Sequence, residues 1–382
     1  MTFKGQRAGV LSEAGTDSRF VYDSAWTTSI ACVFPAETRD FTWREGLFPF
    51  FEHLGPEGWL RGRQARAGRT AQEDSLGLLL AHGEDCIGAV GVLPVEGEIP
   101  LESPADGVLE EAAAVARKTL SGVQKKLLVH RGDGAFHPAV ARNDSATHIA
   151  KFNQADEPTL VQNEDLSLSL ARELLGPNNV TRAAKGVVDG IEGIALLVER
   201  FDRNGDTQLR LEDFAQILNV PQGRDFNGKY QSSYEEAAQA IGRYSARARI
   251  DIARFFALVS FNVLIGNADA HLKNFSLLET KDGLRLSPAY DLLCTLLYPF
   301  NNDFGLDIAG KKRPLESIDR AVLLTFADGI GLQPRAAEAV LATLQRRLAT
   351  TKTLDFAVPV EATDFRARYK AIVSAQAERI FA

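Results

Sequence analysis

The residue types and spacings that could do chemistry lie between Asn267 and Asp291. Asn267, Asp269, His271, Lys273 and Asn274 fall within eight residues, directly after an apolar run that stops at Gly266. Core packing does not ask for so many polar groups at the end of a buried helix, whereas a loop that works on a ligand does. The apolar segment LSPAYDLL follows and releases one carboxylate, Asp291. An Asp and an Asn five residues apart, then a second Asp on the next element, suit phosphoryl transfer to a hydroxyl. In that chemistry the first Asp takes the hydroxyl proton, while the Asn and the second Asp hold magnesium.

The element that delivers this loop is FFALVSFNVLI, apolar at nearly every position and read as a helix deep in a core. From about 212 onward the pattern is otherwise helical: EDFAQILN, YEEAAQAIGRYS, RAVLLTFADGIG, RAAEAVLATLQRRLAT and FRARYKAIVSAQAERIF. The tripeptide DFG at 303–305 follows a polar run and is read as coincidental.

Upstream, THIAKFN reads as a strand that carries Lys151 among apolar residues. Such a lysine either snorkels to solvent or reaches a phosphate. VQNEDLSLSLARELLG is an amphipathic helix ended by Gly176-Pro177. Glu164, near its start, serves the helix dipole or pairs with Lys151. RKTLSGVQKKLLVH reads as a turn at Ser121-Gly122 followed by a strand. An exposed glycine in such a turn can lay backbone N–H groups over a phosphate, yet one glycine is no phosphate signature, and on its own chemistry the stretch reads as a plain hairpin. GIALLVERFDRNGDTQLRLEDF is a strand, a turn at Asn204-Gly205 and a second strand. Its Asp202, Asn204 and Asp206 mimic a calcium loop, but Thr207 stands where that loop needs glycine and Asp213 where it needs glutamate.

The first 98 residues read as a small α+β unit without a catalytic cluster, in which His53 and His82 are structural. The stretch 99–116, rich in Pro, small and acidic residues, is the candidate boundary. The 382 residues are 45% hydrophobic and 24% charged, with a net charge of −7, an ordinary balance that argues against a nucleic-acid-binding chain. Cys32, Cys86 and Cys294 are scattered, which points to reduced thiols and against a zinc site. No secretion signal or membrane span is read.

In their order, TLSGVQKK, HIAKF, NEDLSLSLAREL, VERFDR, RLEDFAQILN, GNADAHLKNFS and SPAYDLL resemble the HipA family of serine/threonine kinases, toxins of type II toxin–antitoxin modules. The resemblance is strongest over about 115–295, and FFEHLGPEG and IGAVGVLP extend it to the N-terminal region. It implies an α+β, bilobal protein-kinase-like fold, with a β-rich N-lobe at 115–203, an all-helical C-lobe at 204–382 and a small subdomain at 1–98. It also implies ATP and Mg2+ as cofactors. Asp269 is then the base, Asn274 and Asp291 the metal ligands, and Lys151 an ATP-phosphate ligand. Ser121, Gly122, Val123 and Gln124 form the loop over ATP. Glu199 and Phe201 offer backbone groups to adenine, and Asp202 and Gln216 lie near the ribose. His271 and Lys273 contact phosphate. The family's regulatory autophosphorylation falls on Thr119 or Ser121. Implied partners are a protein substrate such as an aminoacyl-tRNA synthetase and a HipB-like helix-turn-helix antitoxin, with operator DNA reached only through that antitoxin, no membrane, and a cytoplasmic location. The rival readings are a small-molecule phosphotransferase of kinase-like fold and a catalytically silent nucleotide-binding regulator.

Overall fold

Alternating polar and apolar residues build the first hairpin, Gly9–Ala14 against Asp17–Tyr22, in which Ala14 pairs with Asp17 across a turn containing Gly15 at φ 68°. The structure is a computed structural model and describes residues 1–103, 107–120, 122, 124–141, 144–355 and 363–382. It forms two units, Met1–Gln154 with Ala184–Gly228, and Ala155–Ala183 with Lys229–Ala382.

The first unit has two centres. Asp40–Trp43 joins the first hairpin, and Thr2–Phe3 pairs with Gln6–Arg7 and Val90–Gly91. Under these strands Phe20, Phe34, Phe50 and Phe51 are buried, with edge-on contacts such as Phe20–Phe34 at 5.2 Å. The second centre is a closed five-stranded barrel of Ala183–Val188, Ile191–Glu199, His148–Lys151, Lys126–Gly132 and Ala135–Pro138. The candidate boundary at 99–116 contains a helix, Val108–Val115, packed on the helix Gly58–Ala67. Its buried Ala112, Ala113 and Ala114 have side chains small enough for close helix approach, so a composition typical of linkers here builds core. Polar ties hold the segment that follows the barrel to the first centre. Glu212 accepts from Cys32 N at 2.7 Å and from Arg210, and His53 Nε2 bonds the Val220 carbonyl at 2.8 Å.

The second unit is built on the helix Ala248–Ile265, around which pack Tyr234–Tyr244, Pro334–Leu348 and Thr363–Phe381. The helix Leu160–Leu174 belongs here, and residues 204–228 belong to the first unit, which redraws the expected division at 203 and 204. Side-chain bonds explain the membership of that helix: Asn163 takes the Cys294 N–H at 2.9 Å, Ser167 meets the Tyr369 hydroxyl at 3.0 Å, and Arg347 reaches the Leu174 carbonyl at 2.7 Å. One element in this region escapes the all-helical expectation, the hairpin Ser276–Thr280 with Gly283–Leu286. Asp282-Gly283 turns it, with Gly283 at φ 110°.

Candidate active site

The long helix ends at Gly266, at φ 72° and ψ 35°. A left-handed cap suits glycine, and a Cβ here would lie 2.8 Å from Ile372 Cγ2. The turn that follows is pinned from below. Asn267 N donates to the Asn262 carbonyl, Asn267 Nδ2 to Asn262 Oδ1 at 2.7 Å, and Ala268 N to Thr295 Oγ1 at 2.8 Å. Asn267 Oδ1 then accepts from Asp269 N at 3.1 Å. This fixed backbone holds Asp269 out to solvent, where Oδ1 accepts the Tyr230 hydroxyl at 2.6 Å. Gly305 presses on the same loop, with its Cα side facing the Ala270 and His271 backbone; a Cβ there would sit 2.5 Å from Ala270 C and O.

Asn274 is buried and bonded at both ends of its amide. Oδ1 accepts His271 N at 2.9 Å, and Nδ2 donates to Asp291 Oδ2 at 3.0 Å. Asp291 holds a left-handed φ of 56°, a conformation aspartate tolerates better than most residues and one that collects at functional sites. Tyr290 beside it donates to the Lys273 carbonyl at 2.8 Å, tying the element of Asp291 to the loop of Asp269. Asn274 and Asp291 carry oxygen donors of the hard type that magnesium takes, although here the amide NH2 of Asn274 faces the carboxylate and its oxygen faces His271 N. Among the described residues no cluster of three or more His, Cys, Asp or Glu forms a metal cage. His271 and Lys273 are buried in the loop, and the His271 ring meets the Tyr230 ring edge-on at 5.1 Å.

The first unit holds the other predicted residues. Lys151 is buried on the barrel and pairs in register with Lys126, which is also buried. Like charges opposite each other on neighbouring strands repel unless an opposite charge lies near. Lys126 was not singled out from sequence; its period-2 register with Lys151 across the strands was the available signal. Gly122 sits at φ 102°, and a Cβ on it would lie 2.3 Å from Lys126 Nζ, so the glycine opens space beside a cation. Gln124 Nε2 donates to the Phe152 carbonyl at 3.0 Å. Ser121 and Val123 lie outside the described residues. Glu199 is exposed at the end of its strand and Phe201 is half-buried.

Two of the predicted residues are tied into the packing of this unit. Asp202 is buried, and its carboxylate is filled by Arg200, Arg203 and the Gly88 N–H at 2.8 Å. Burial pushes its carboxyl up, but the Arg200 charge and hydrogen bond, with Arg203 and Gly88, hold it below the usual range. Gln216 is buried too. It closes a capping box with Asp213 and donates to the Phe50 carbonyl at 3.1 Å. These bonds hold both side chains in fixed positions. Thr119 is fully buried, and among the described residues its hydroxyl has no hydrogen-bond partner.

With this geometry in hand, the chain was compared with known proteins. The family described as HipA-like C-terminal domain matches residues 118–351, and HipA N-terminal domain matches residues 1–93. The chain belongs to the HipA family. The putative kinase Y4mE of Sinorhizobium fredii is 30% identical over 354 residues, 83% of this chain and 82% of that protein. The serine/threonine-protein kinase toxin HipA of Shewanella oneidensis is 28% identical over 355 residues, 81% of this chain and 78% of that protein. Among solved structures, the Shewanella oneidensis complex of HipA, HipB and operator DNA matches with a TM-score of 0.77 and 25% identity, over 98% of this chain and 95% of that one. The HipA-family chain therefore has the kinase-like fold of its relatives. No helix among its described residues is long and apolar enough to cross a membrane.

Proposed function

We propose that this HipA-family protein is an ATP- and magnesium-dependent serine/threonine protein kinase and the growth-inhibiting toxin of a toxin–antitoxin module. The observation that carries the reading is the tied set of Asp269, Asn274 and Asp291 on one loop and its neighbouring element, with the Asn274–Asp291 bond at 3.0 Å. Bound Mg-ATP supplies the transferable phosphoryl group. Asp269, exposed on a rigid backbone, orients the acceptor hydroxyl and takes its proton as the acceptor oxygen–phosphorus bond forms and the bond from the γ-phosphorus to the bridging oxygen breaks, releasing ADP. Asn274 and Asp291 offer oxygen donors to the metal. Lys151, with Lys126 in register, offsets phosphate charge. Gly122 and Gln124 contribute the loop over the nucleotide, and Glu199 and Phe201 lie at the strand end suited to adenine. His271 and Lys273 serve the loop from buried positions.

The same reading proposes Thr119 or Ser121 as the autophosphorylation site. A phosphate dianion has no place at the buried Thr119 hydroxyl, so modification there requires the segment to leave its seat. The likeness to a HipA bound with HipB and operator DNA supports a helix-turn-helix antitoxin as partner, with DNA reached through it. A net charge of −7 agrees with indirect rather than autonomous DNA association. A protein substrate of the aminoacyl-tRNA synthetase class and a cytoplasmic location complete the proposal.

Intact-mass spectrometry before and after Mg-ATP tests it. The wild-type chain, treated first with phosphatase, gains phosphate, and Asp269→Asn and Asp291→Asn do not, a loss of about 10²–10⁴ in rate. Transfer retained by both variants would overturn the assignment. Nucleotide binding without transfer in the wild type would favour a silent regulator.

A further inference from the structure

The candidate base carries one hydrogen bond on its carboxylate, and that bond is unusual. Asp269 Oδ1 accepts the Tyr230 hydroxyl at 2.6 Å, the length of a charge-assisted O–H···O⁻ bond. Among the described residues nothing else bonds the carboxylate, so Oδ2 is left open. The tyrosine is itself held by the loop it touches. Its ring meets His271 edge-on at 5.1 Å, and the Lys312 and Lys229 ammonium groups lie 5.9 Å and 5.6 Å from its centroid. Lys312 Nζ is fixed by the Gly305 carbonyl at 2.7 Å, and Gly305 rests on the Ala270 backbone. All of these contacts lie within the second unit. A phenylalanine would make the same ring contacts, so packing does not account for the hydroxyl.

We propose that Tyr230 is a positioning residue for phosphoryl transfer, holding Oδ1 of Asp269 so that Oδ2 faces the acceptor hydroxyl. An aspartate on a fixed backbone still turns about two side-chain bonds. One short bond to a clamped phenol removes that freedom before the acceptor arrives, and pre-set geometry of this kind lowers a barrier without altering ground-state affinity. The hydroxyl neither touches the transferred group nor changes its proton count; the proton from the acceptor goes to Asp269.

The inference rests on the kinase reading, and the test separates the two. Wild type, Tyr230→Phe and Asp269→Asn are assayed with radiolabelled Mg-ATP, following incorporation into myelin basic protein and into the chain itself. For Tyr230→Phe the kcat falls about tenfold, with KM for ATP and for acceptor and the melting temperature unchanged. A purely structural tyrosine would instead lower activity in step with the melting temperature, and that result overturns the inference. So does an unchanged kcat. So does a higher kcat with a lower acceptor KM, which would make Tyr230 an obstacle to the acceptor. If wild type and Asp269→Asn are equally silent toward both acceptors, the kinase reading fails first and takes the inference with it.

Discussion

Asp202 and Asp269 are the same residue type in opposite settings, and the difference decides what each can do. Asp269 is exposed with one oxygen open, whereas Asp202 is buried with both oxygens filled by arginine and a backbone N–H. Asp202→Ala therefore leaves the buried Arg200 and Arg203 to share Asp85 alone, and urea unfolding should show a loss of up to about 3–5 kcal/mol. The KM for ATP of the protein that remains folded should not move, and a large rise would return Asp202 to the nucleotide. The folded-state carboxyl lies below its usual 3.8, so its stabilisation is present above that pH and lost as pH falls through the folded value. The gap between wild type and Asp202→Asn should accordingly shrink on acidification below about pH 4. Asp269, Asn274 and Asp291 were legible in sequence because polar groups crowd the end of an apolar run. The partners of Asp202 and Gln216 were not legible, because their neighbours in sequence do not reveal Gly88 or Phe50, which bond them. Tyr230 was invisible for the same reason: 39 residues separate it from the carboxylate it holds.

At the scale of elements, the loop Gly266–Asn274 is positioned from two sides, by the helix that ends at Gly266 and by the segment around Gly305. The helix was read from its apolar run. The role of 303–305 was not, because a coincidental tripeptide says nothing of where its glycine packs. Phe304 is fully buried against Tyr234 at 4.8 Å, and Gly305 abuts the loop backbone. A methyl at 305 meets Ala270 C and O at 2.5 Å and His271 N at 2.9 Å, all main-chain atoms that cannot rotate away. Gly305→Ala must therefore shift the loop. Displacement on the order of 1 Å costs about a hundredfold in rate, while overpacking costs about 1–3 kcal/mol of stability. Steady-state kinetics beside thermal unfolding checks this. Full activity in Gly305→Ala would show that the loop tolerates movement, and the positional argument for Asp269 would weaken with it. The hairpin Ser276–Thr280 with Gly283–Leu286 carries the chain from Asn274 toward Asp291. Its brevity and its position among helices hid it, although Asp282-Gly283 was a usable turn signal.

At the scale of the molecule, each unit is assembled from separated stretches of chain, so composition along the sequence could not mark their limits. Residues 99–116, read as a candidate boundary, hold a helix that packs on Gly58–Ala67. Nor do the first 98 residues stand apart in polar bonding. Arg200 Nη2 reaches the Cys86 carbonyl at 3.1 Å, Arg203 reaches Asp85 Oδ1 at 2.5 Å and the Gly88 carbonyl at 2.8 Å, and Gln216 bonds Phe50. A chain that starts at residue 99 loses Asp85 and leaves Arg200 and Arg203 sharing the single carboxylate of Asp202. An uncompensated buried charge costs about 3–5 kcal/mol, against a total stability of about 5–15 kcal/mol for an ordinary domain. Loss of the Gly58–Ala67 face beneath Val108–Val115 adds exposed apolar surface. Residues 99–382 expressed alone should therefore lack a cooperative unfolding transition and aggregate, and co-expression with 1–98 should restore solubility and Mg-ATP-dependent phosphorylation together. A cooperative transition for 99–382 alone would show instead that the ion-pair cluster is dispensable. The N-terminal residues would then be an appendage to the kinase-like fold, where the bonds of Arg200 and Arg203 make them part of its frame.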